Sequence, residues 1–99
     1  MAKYRISKRA KKDLANIWNY SVKNWSTNQA DNYVQLIIEE LNRISENTSI
    51  GRNYTKVRKD YFGAKVKSHI IFYRVLHNSE IEVVRILHQK MDLQARIGK

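Results

Sequence analysis

The stretch that decides the fold of this chain runs from Ser68 to His88 and reads SHIIFYRVLHNSEIEVVRILH. Two runs rich in β-branched and aromatic residues flank Asn78 and Ser79, which are residue types that tight turns accept. This arrangement is typical of a β-hairpin. The sequence therefore predicts two antiparallel strands, near residues 67–76 and 81–88.

The position of the turn also predicts the register of the hairpin. The expected cross-strand pairs are Phe72–Arg85, Arg74–Val83, Ile71–Ile86 and His69–His88. Because side chains alternate between the two faces of a sheet, this register gives both faces apolar residues. One face holds Val66, Ser68, Ile70, Phe72, Arg74, Leu76, Ile81, Val83, Arg85 and Leu87, and the other holds His69, Ile71, Tyr73, Val75, Glu82, Val84, Ile86 and His88.

Two apolar faces are unusual for an antiparallel sheet in a free monomer. A pair of helices covers only one face, and a contiguous exposed apolar patch usually marks an interaction site. We therefore expect the helices to leave one of the two faces open, and we expect that face to bind another chain. The alternative is that a loop or the C-terminal segment covers it.

Helical periodicity dominates the first half of the chain. Ser7 is the expected N-cap of a helix over residues 8–24, and Ser26 or Thr27 is the expected N-cap of a second helix. Their apolar stripes run through Ala10, Leu14, Ile17 and Trp18 and through Ala30, Tyr33, Val34, Ile37, Ile38, Leu41 and Ile44. The short connection between them predicts an antiparallel helical hairpin.

The remaining segments complete the predicted order β-α-α-β-β-β. Residues 2–7 alternate as a first strand, residues 47–55 suit a loop, and another strand lies within 57–66. One or two further helical turns are expected over residues 91–97. The predicted fold is a single α+β domain, residues 1–99, in which a helical hairpin packs on a mostly antiparallel sheet.

Composition excludes several classes of protein. The 99 residues include no Cys, which excludes disulfides and thiolate metal sites. No apolar run approaches the roughly 20 residues that span a bilayer, and the N-terminus lacks the apolar core of a secretory signal. We therefore expect a cytoplasmic protein with no membrane contact.

Charge is distributed unevenly along the chain. Lys and Arg number 19 against 9 acidic residues, for a net charge of +10. Residues 1–24 and 52–99 are basic, whereas residues 25–51 carry four acidic residues and one basic residue. Such a field attracts phosphates or an acidic protein, although it also keeps a small domain soluble.

No motif for metal-dependent or nucleophilic catalysis is present. His69, His77 and His88 lie too far apart for a local ligand motif, so no metal or cofactor is expected. Metal-free RNA cleavage needs a base, an acid and cations for the transition state, and Arg58, Lys65, Lys67, Arg74, Arg85 and His88 supply such groups. Any basic β-rich domain offers a similar set. Trp18 and Tyr33 lie on the helical stripes, so burial is expected for both.

Several segments in order give the chain a family resemblance. They are Tyr4-Arg5-Ile6-Ser7, Asp13-Leu14-Ala15-Asn16-Ile17-Trp18, Gln29-Ala30 with Tyr33, His69-Ile70-Ile71-Phe72-Tyr73-Arg74-Val75 and Arg85-Ile86-Leu87-His88-Gln89-Lys90-Met91-Asp92. Together they resemble the ParE branch of the RelE/ParE toxin superfamily, whose fold has the same β-α-α-β-β-β order.

The resemblance implies a toxin of a type II toxin–antitoxin module. ParE-like toxins are non-enzymatic inhibitors of DNA gyrase. A ParD-like antitoxin, with a ribbon-helix-helix part and an acidic, amphipathic tail, neutralises them. Contact with operator DNA would then be indirect, through the antitoxin.

The RelE-like relatives are ribosome-dependent mRNA interferases, and they are the alternative function. Their third strand reads Arg, two aliphatic residues and Tyr, whereas the matching window here is Ile70-Ile71-Phe72-Tyr73. Ile70 cannot stabilise an oxyanion, and this departure favours gyrase as the target. The departure also implies that the face with Ile70, Phe72, Arg74 and Arg85 is the one that the helices leave open. A third hypothesis is a purely structural binding module.

Candidate residues follow from these hypotheses. The candidates for target inhibition are Arg58, Lys65, Arg74, Arg85 and Lys90. The candidates for antitoxin contact are Leu14, Trp18, Ile37, Ile70, Phe72 and Arg85. The candidates for RNA cleavage are Arg74, Arg85 and His88.

Overall fold

The fold was determined as a computed structural model, which describes residues 4–55, 57–91 and 96. The elements in chain order are β1 (Tyr4–Ile6), α1 (Lys8–Asn24), α2 (Thr27–Glu46), a 3₁₀ turn (Thr48–Ile50), β2 (Arg52–Asn53), β3 (Phe62–Val66), β4 (His69–Val75) and β5 (Ile81–His88). The two helices pack on a five-stranded mixed sheet, which confirms the predicted α+β fold. The further turns expected over 91–97 lie largely outside the described residues.

The two helices begin where the sequence predicts. The Ser7 hydroxyl accepts a hydrogen bond from the N–H of Ala10 at 3.0 Å, and Ser26 accepts from the N–H of Gln29 at 3.0 Å. Each serine thus satisfies a backbone donor that the first helical turn leaves without a partner. Ser26, and not Thr27, is therefore the N-cap of α2.

The sheet has the strand order β1-β5-β4-β3-β2. All neighbours are antiparallel except β1 and β5, which pair in parallel through Tyr4–Ile81, Arg5–Glu82 and Ile6–Val83. β1 therefore covers only the first half of β5. The sequence analysis missed β2 and the 3₁₀ turn, because two residues of strand are too short to show an alternating pattern.

A β-bulge changes the predicted register of the hairpin. The pairs Phe72–Arg85, Ile71–Ile86 and His69–His88 are confirmed. Beyond Phe72 the register shifts, so Tyr73 lies opposite Val83 and Arg74 opposite Glu82. The predicted pair Arg74–Val83 is wrong, because Val84 is the extra residue of the bulge.

The bulge moves residues 81–84 to the faces opposite to those predicted; Val84, for example, packs against Ile70 and Phe72 and not beside Ile71. Ile81 and Val83 join the main core with Ile71 and Tyr73, under the helices. The sequence had placed them with Ile70 and Phe72. A shift of one residue has this effect because strand side chains alternate between faces.

The second apolar face is covered by the chain itself. Ile70, Phe72 and Leu87 form a separate cluster, against which Tyr54 and Tyr61 pack together with Val57 and Val84. The Tyr54 and Phe72 rings meet edge to face, with centroids 5.1 Å apart. The expectation of an open, partner-binding face around Ile70 and Phe72 is therefore wrong. The loop residues 54, 55 and 57–61, named here the covering loop, cover it instead.

Among the residues described, no helix is long and apolar enough to cross a bilayer.

Candidate partner-binding groove

An open groove of about 870 Å³ separates the helical hairpin from one end of the sheet. Its walls come from one side of α1, the start of α2, the turn between β3 and β4, and the end of β5. The groove exists because β1 pairs only with the first half of β5. Beyond that point, within the part of the chain that the structure describes, α1 and no strand runs beside β5.

Exposed apolar side chains concentrate at this groove. Among the residues that the structure describes, the exposed large apolar side chains are those of Tyr20, Trp25, Leu36, Val75 and Met91, and all of them except Val75 line the groove. Tyr20 and Trp25 are 61% and 62% exposed, with their rings edge to face and 5.9 Å between centroids. Clustered exposed aromatic residues of this kind typically mark a protein-binding site.

The buried ion pair between Asp13 and Arg85 forms the floor of the groove. The Asp13 carboxylate accepts hydrogen bonds from Arg85 Nε at 2.8 Å and from an Arg85 terminal nitrogen at 3.0 Å. It also accepts from the backbone N–H of Ile86 at 2.9 Å, so it satisfies a backbone donor of β5 that pairs with none of the described strands. The hydrogen bonds to Asp13 raise the pKa of Arg85.

Two histidines and a tyrosine line the end of the groove. His69 and His88 lie on neighbouring strands with ring centroids 5.3 Å apart, and the Tyr33 hydroxyl is 2.6 Å from His69 Nδ1. Burial, with a smaller contribution from His88, lowers the pKa of His69 below its ordinary value. His88 Nδ1 accepts the backbone N–H of Lys90 at 3.1 Å. The expected pairing of the two histidines is confirmed.

The titratable groups make the groove cationic. Lys67, Arg85 and Arg96 line it, whereas the lining acid, Asp13, is already bound to Arg85. An apolar surface with excess positive charge complements a segment that carries both apolar and acidic side chains. Among the described residues, no group of three or more His, Asp or Glu side chains could hold a metal ion.

The structure separates the candidates for antitoxin contact. Ile37, Ile70 and Phe72 are buried, so they offer no surface to a partner. Leu14 and Trp18 are half-buried; the Trp18 Nε1–H donates to Asp31 at 2.9 Å. Within this set, only Arg85 lines the groove.

The candidates for target inhibition lie on different elements and form no single site. Arg58 is in the covering loop, 5.9 Å from the centroid of the Tyr61 ring, and Lys65 is on β3. Arg74 pairs with Glu82 at 2.6 Å near the β4–β5 turn, and Lys90 follows β5. Of the residues proposed for RNA cleavage, the groove brings together Arg85 and His88 but not Arg74.

Sequence reasoning missed the importance of Asp13 and Leu36. Asp13 lies three residues after Ala10 and four before Ile17, which places this acid on the buried stripe of α1. A carboxylate in such a position needs a cationic or hydrogen-bonding partner, and this signal was present in the sequence. Leu36 lies outside the apolar stripe of α2, and this position was the sequence signal for its exposure.

Comparisons with known proteins agree on one family. A family model described as the ParE toxin of the type II toxin–antitoxin system parDE matches residues 4–93. The chain is 37% identical over 98 residues to Toxin ParE1 of Caulobacter vibrioides, covering 99% of this chain and 100% of that protein. It is 33% identical over 96 residues to Toxin ParE1 of Mycobacterium tuberculosis, covering 97% and 98%.

Two solved structures share the fold. One, described as the chromosomal ParDE system from P. aeruginosa, matches with a TM-score of 0.76 at 20% identity and covers 89% of this chain and 96% of that chain. The other, the toxin–antitoxin complex RelBE2 from Mycobacterium tuberculosis, matches with a TM-score of 0.66 at 14% identity and covers 88% and 96%.

Proposed function

Because this chain belongs to the ParE toxin family of type II toxin–antitoxin systems, we propose that it inhibits DNA gyrase by binding and not by catalysis. We further propose that a ParD-like antitoxin neutralises it by placing an acidic, amphipathic segment in the groove. The observation that carries the second proposal is the concentration of exposed apolar residues in a groove with excess positive charge. A segment that folds on binding can bury such a surface.

The proposal of gyrase as the target is tested with purified components. Supercoiling by gyrase should fall as the chain is added, and it should recover when the product of the neighbouring antitoxin reading frame is added. The same preparation should leave mRNA intact in a translating extract. Unchanged supercoiling together with fragmented mRNA would establish the interferase alternative instead.

The chemistry around Ile70 supports gyrase over the ribosome. Ile70 occupies the slot that holds an arginine in RelE-like toxins, and it is buried in the cluster under the covering loop. An aliphatic side chain in that place can neither bind a phosphate nor stabilise a developing negative charge. Arg74, the nearest arginine on the same strand, is engaged by Glu82.

The groove is tested by a matched pair of substitutions. Leu36 and Val75 are 39% and 42% exposed, but only Leu36 lines the groove. Leu36→Glu places a negative charge where the acidic segment would bind, so antitoxin affinity should fall at least about tenfold, which corresponds to about 1.4 kcal/mol. Val75→Glu adds the same charge at the end of β4 that lies away from the groove, so it should leave the antitoxin affinity unchanged. Equal affinities of both variants would reject the groove as the antitoxin site.

A further inference from the structure

The outer face of α1 carries a row of positive charge that the groove does not use. The exposed positions of this face are Lys8, Lys11, Lys12, Ala15, Asn19 and Lys23. They recur at helical spacing, so they lie along one side of the helix over about 22 Å, at 1.5 Å per residue. We refer to this set as the α1 outer face.

No acidic residue offsets this charge on α1. The helix contains five basic residues and one acid, Asp13, which is buried and bound to Arg85. Among the described residues, Lys8, Lys11, Lys12 and Lys23 make no ion pair. The charges of the α1 outer face are therefore available to a ligand.

The placement of these cations is unfavourable for the helix itself. Lys8 and Lys11 lie at its N-terminal end, where the helix dipole favours negative charge, and the first turn contains no acid. Lys8 and Lys12 are also four residues apart, a spacing at which like charges repel. A residue pattern that destabilises a helix, and that stabilises no other contact in the fold, is typical of a functional surface.

Charge is also segregated between the two helices. α2 carries four acidic residues, Asp31, Glu39, Glu40 and Glu46, against the single base Arg43. A surface that serves only solubility intersperses both signs. Segregation instead gives the hairpin a positive and a negative side, which orients the chain toward a polyanion.

We infer that the α1 outer face binds the phosphate backbone of duplex DNA. An acidic protein segment fits this face poorly, because its only apolar side chain is Ala15, whereas the apolar anchors lie in the groove. Lysine ammonium groups and the Asn19 amide are the donors that contact phosphate oxygens without reading sequence. This contact is independent of operator recognition, which the family resemblance assigns to the antitoxin. Its consequence rests on the proposed function: the contact would hold the toxin on DNA where gyrase works.

The test compares two double substitutions that remove equal charge. Lys11→Gln/Lys12→Gln alters the α1 outer face, and Arg52→Gln/Lys59→Gln removes two exposed charges from β2 and the covering loop. Affinity for a labelled 30-base-pair duplex DNA is measured by fluorescence anisotropy from low to physiological salt. The antitoxin and gyrase are absent, so the result is separate from that of the supercoiling assay.

Lys11→Gln/Lys12→Gln should bind DNA more weakly than wild type. The slope of its plot of log K against log salt concentration should be smaller by about 2, because each lost phosphate contact reduces the slope by about 1. The control should keep the wild-type slope, and the DNA sequence should not matter. Because glutamine and lysine have similar helix propensities, the first variant should keep its helix content and melt no lower than wild type. Equal slopes for the two variants, or tighter binding to duplex RNA than to DNA, would overturn the inference.

Discussion

The buried pair between Asp13 and Arg85 should be the largest single polar contribution to the stability of this domain. Their side chains are 10% and 13% exposed, and the Asp13 carboxylate accepts three hydrogen bonds. Asp13→Ala leaves the Arg85 charge buried without its partner and also leaves the N–H of Ile86 unsatisfied. Breaking such a pair from one side typically costs about 3–5 kcal/mol. Domains of this size are stable by only about 5–15 kcal/mol, so the loss is a large fraction of the total.

The assay is urea unfolding, followed by circular dichroism, together with thermal melting. A loss of 3 kcal/mol corresponds to a fall of at least about 12 °C in Tm for a domain of up to about 100 residues. The matched control is Glu82→Ala, which breaks the Arg74–Glu82 pair, whose side chains are 49% and 26% exposed. An exposed pair is worth about 0.2–1 kcal/mol.

A second substitution separates the charge from the hydrogen bonds. Asp13→Ala/Arg85→Met removes both charges and retains an apolar chain at position 85, so it should be more stable than Asp13→Ala alone. It should not recover fully, since the N–H of Ile86 still lacks an acceptor, at a cost of about 1–3 kcal/mol. If Asp13→Ala and Glu82→Ala lowered the free energy of unfolding equally, the reasoning would be refuted. Equal losses would mean that solvent screens the Asp13–Arg85 pair as strongly as it screens the exposed Arg74–Glu82 pair.

Three other substitutions test the histidine pair, the covering loop and the core. Because burial lowers the pKa of His69 from its ordinary value of 6.5, the unfolded chain binds a proton at a higher pH than the folded chain does. The free energy of unfolding should therefore fall as the pH drops below about 6.5. Urea titrations at several pH values should show a weaker pH dependence for His69→Gln. A Cβ on Gly63 would lie 2.5 Å from the Tyr54 ring, so Gly63→Ala should cost about 1–3 kcal/mol and loosen the covering loop, measured as faster hydrogen exchange there. The Tyr73 hydroxyl accepts from the N–H of Gly51 at 3.0 Å, so Tyr73→Phe should cost about 1–3 kcal/mol in thermal melts, and an unchanged Tm would contradict that hydrogen bond.

Local sequence patterns predicted most of the fold. Ser7 and Ser26 cap the helices as predicted, because an N-cap depends on residues within one turn of it. The two strands of the β4–β5 hairpin were predictable, and so were the cross-strand pairs from His69 to Phe72, but the pairs nearer the turn were not, because the bulge shifts their register by one residue. Asp13 could have been recognised, because an acid on an apolar helical stripe needs a partner.

The sequence alone determined the α+β class, the helical hairpin and the excess of positive charge, because these depend on composition and on short periodic patterns. Only the tertiary structure decided which surface is open. The bulge at Val84 moved Ile81 and Val83 under the helices, and the covering loop buried Ile70 and Phe72. Both depend on packing between segments distant in sequence, which no local pattern encodes, and for that reason the exposed apolar surface lies in the groove and not on the back of the sheet.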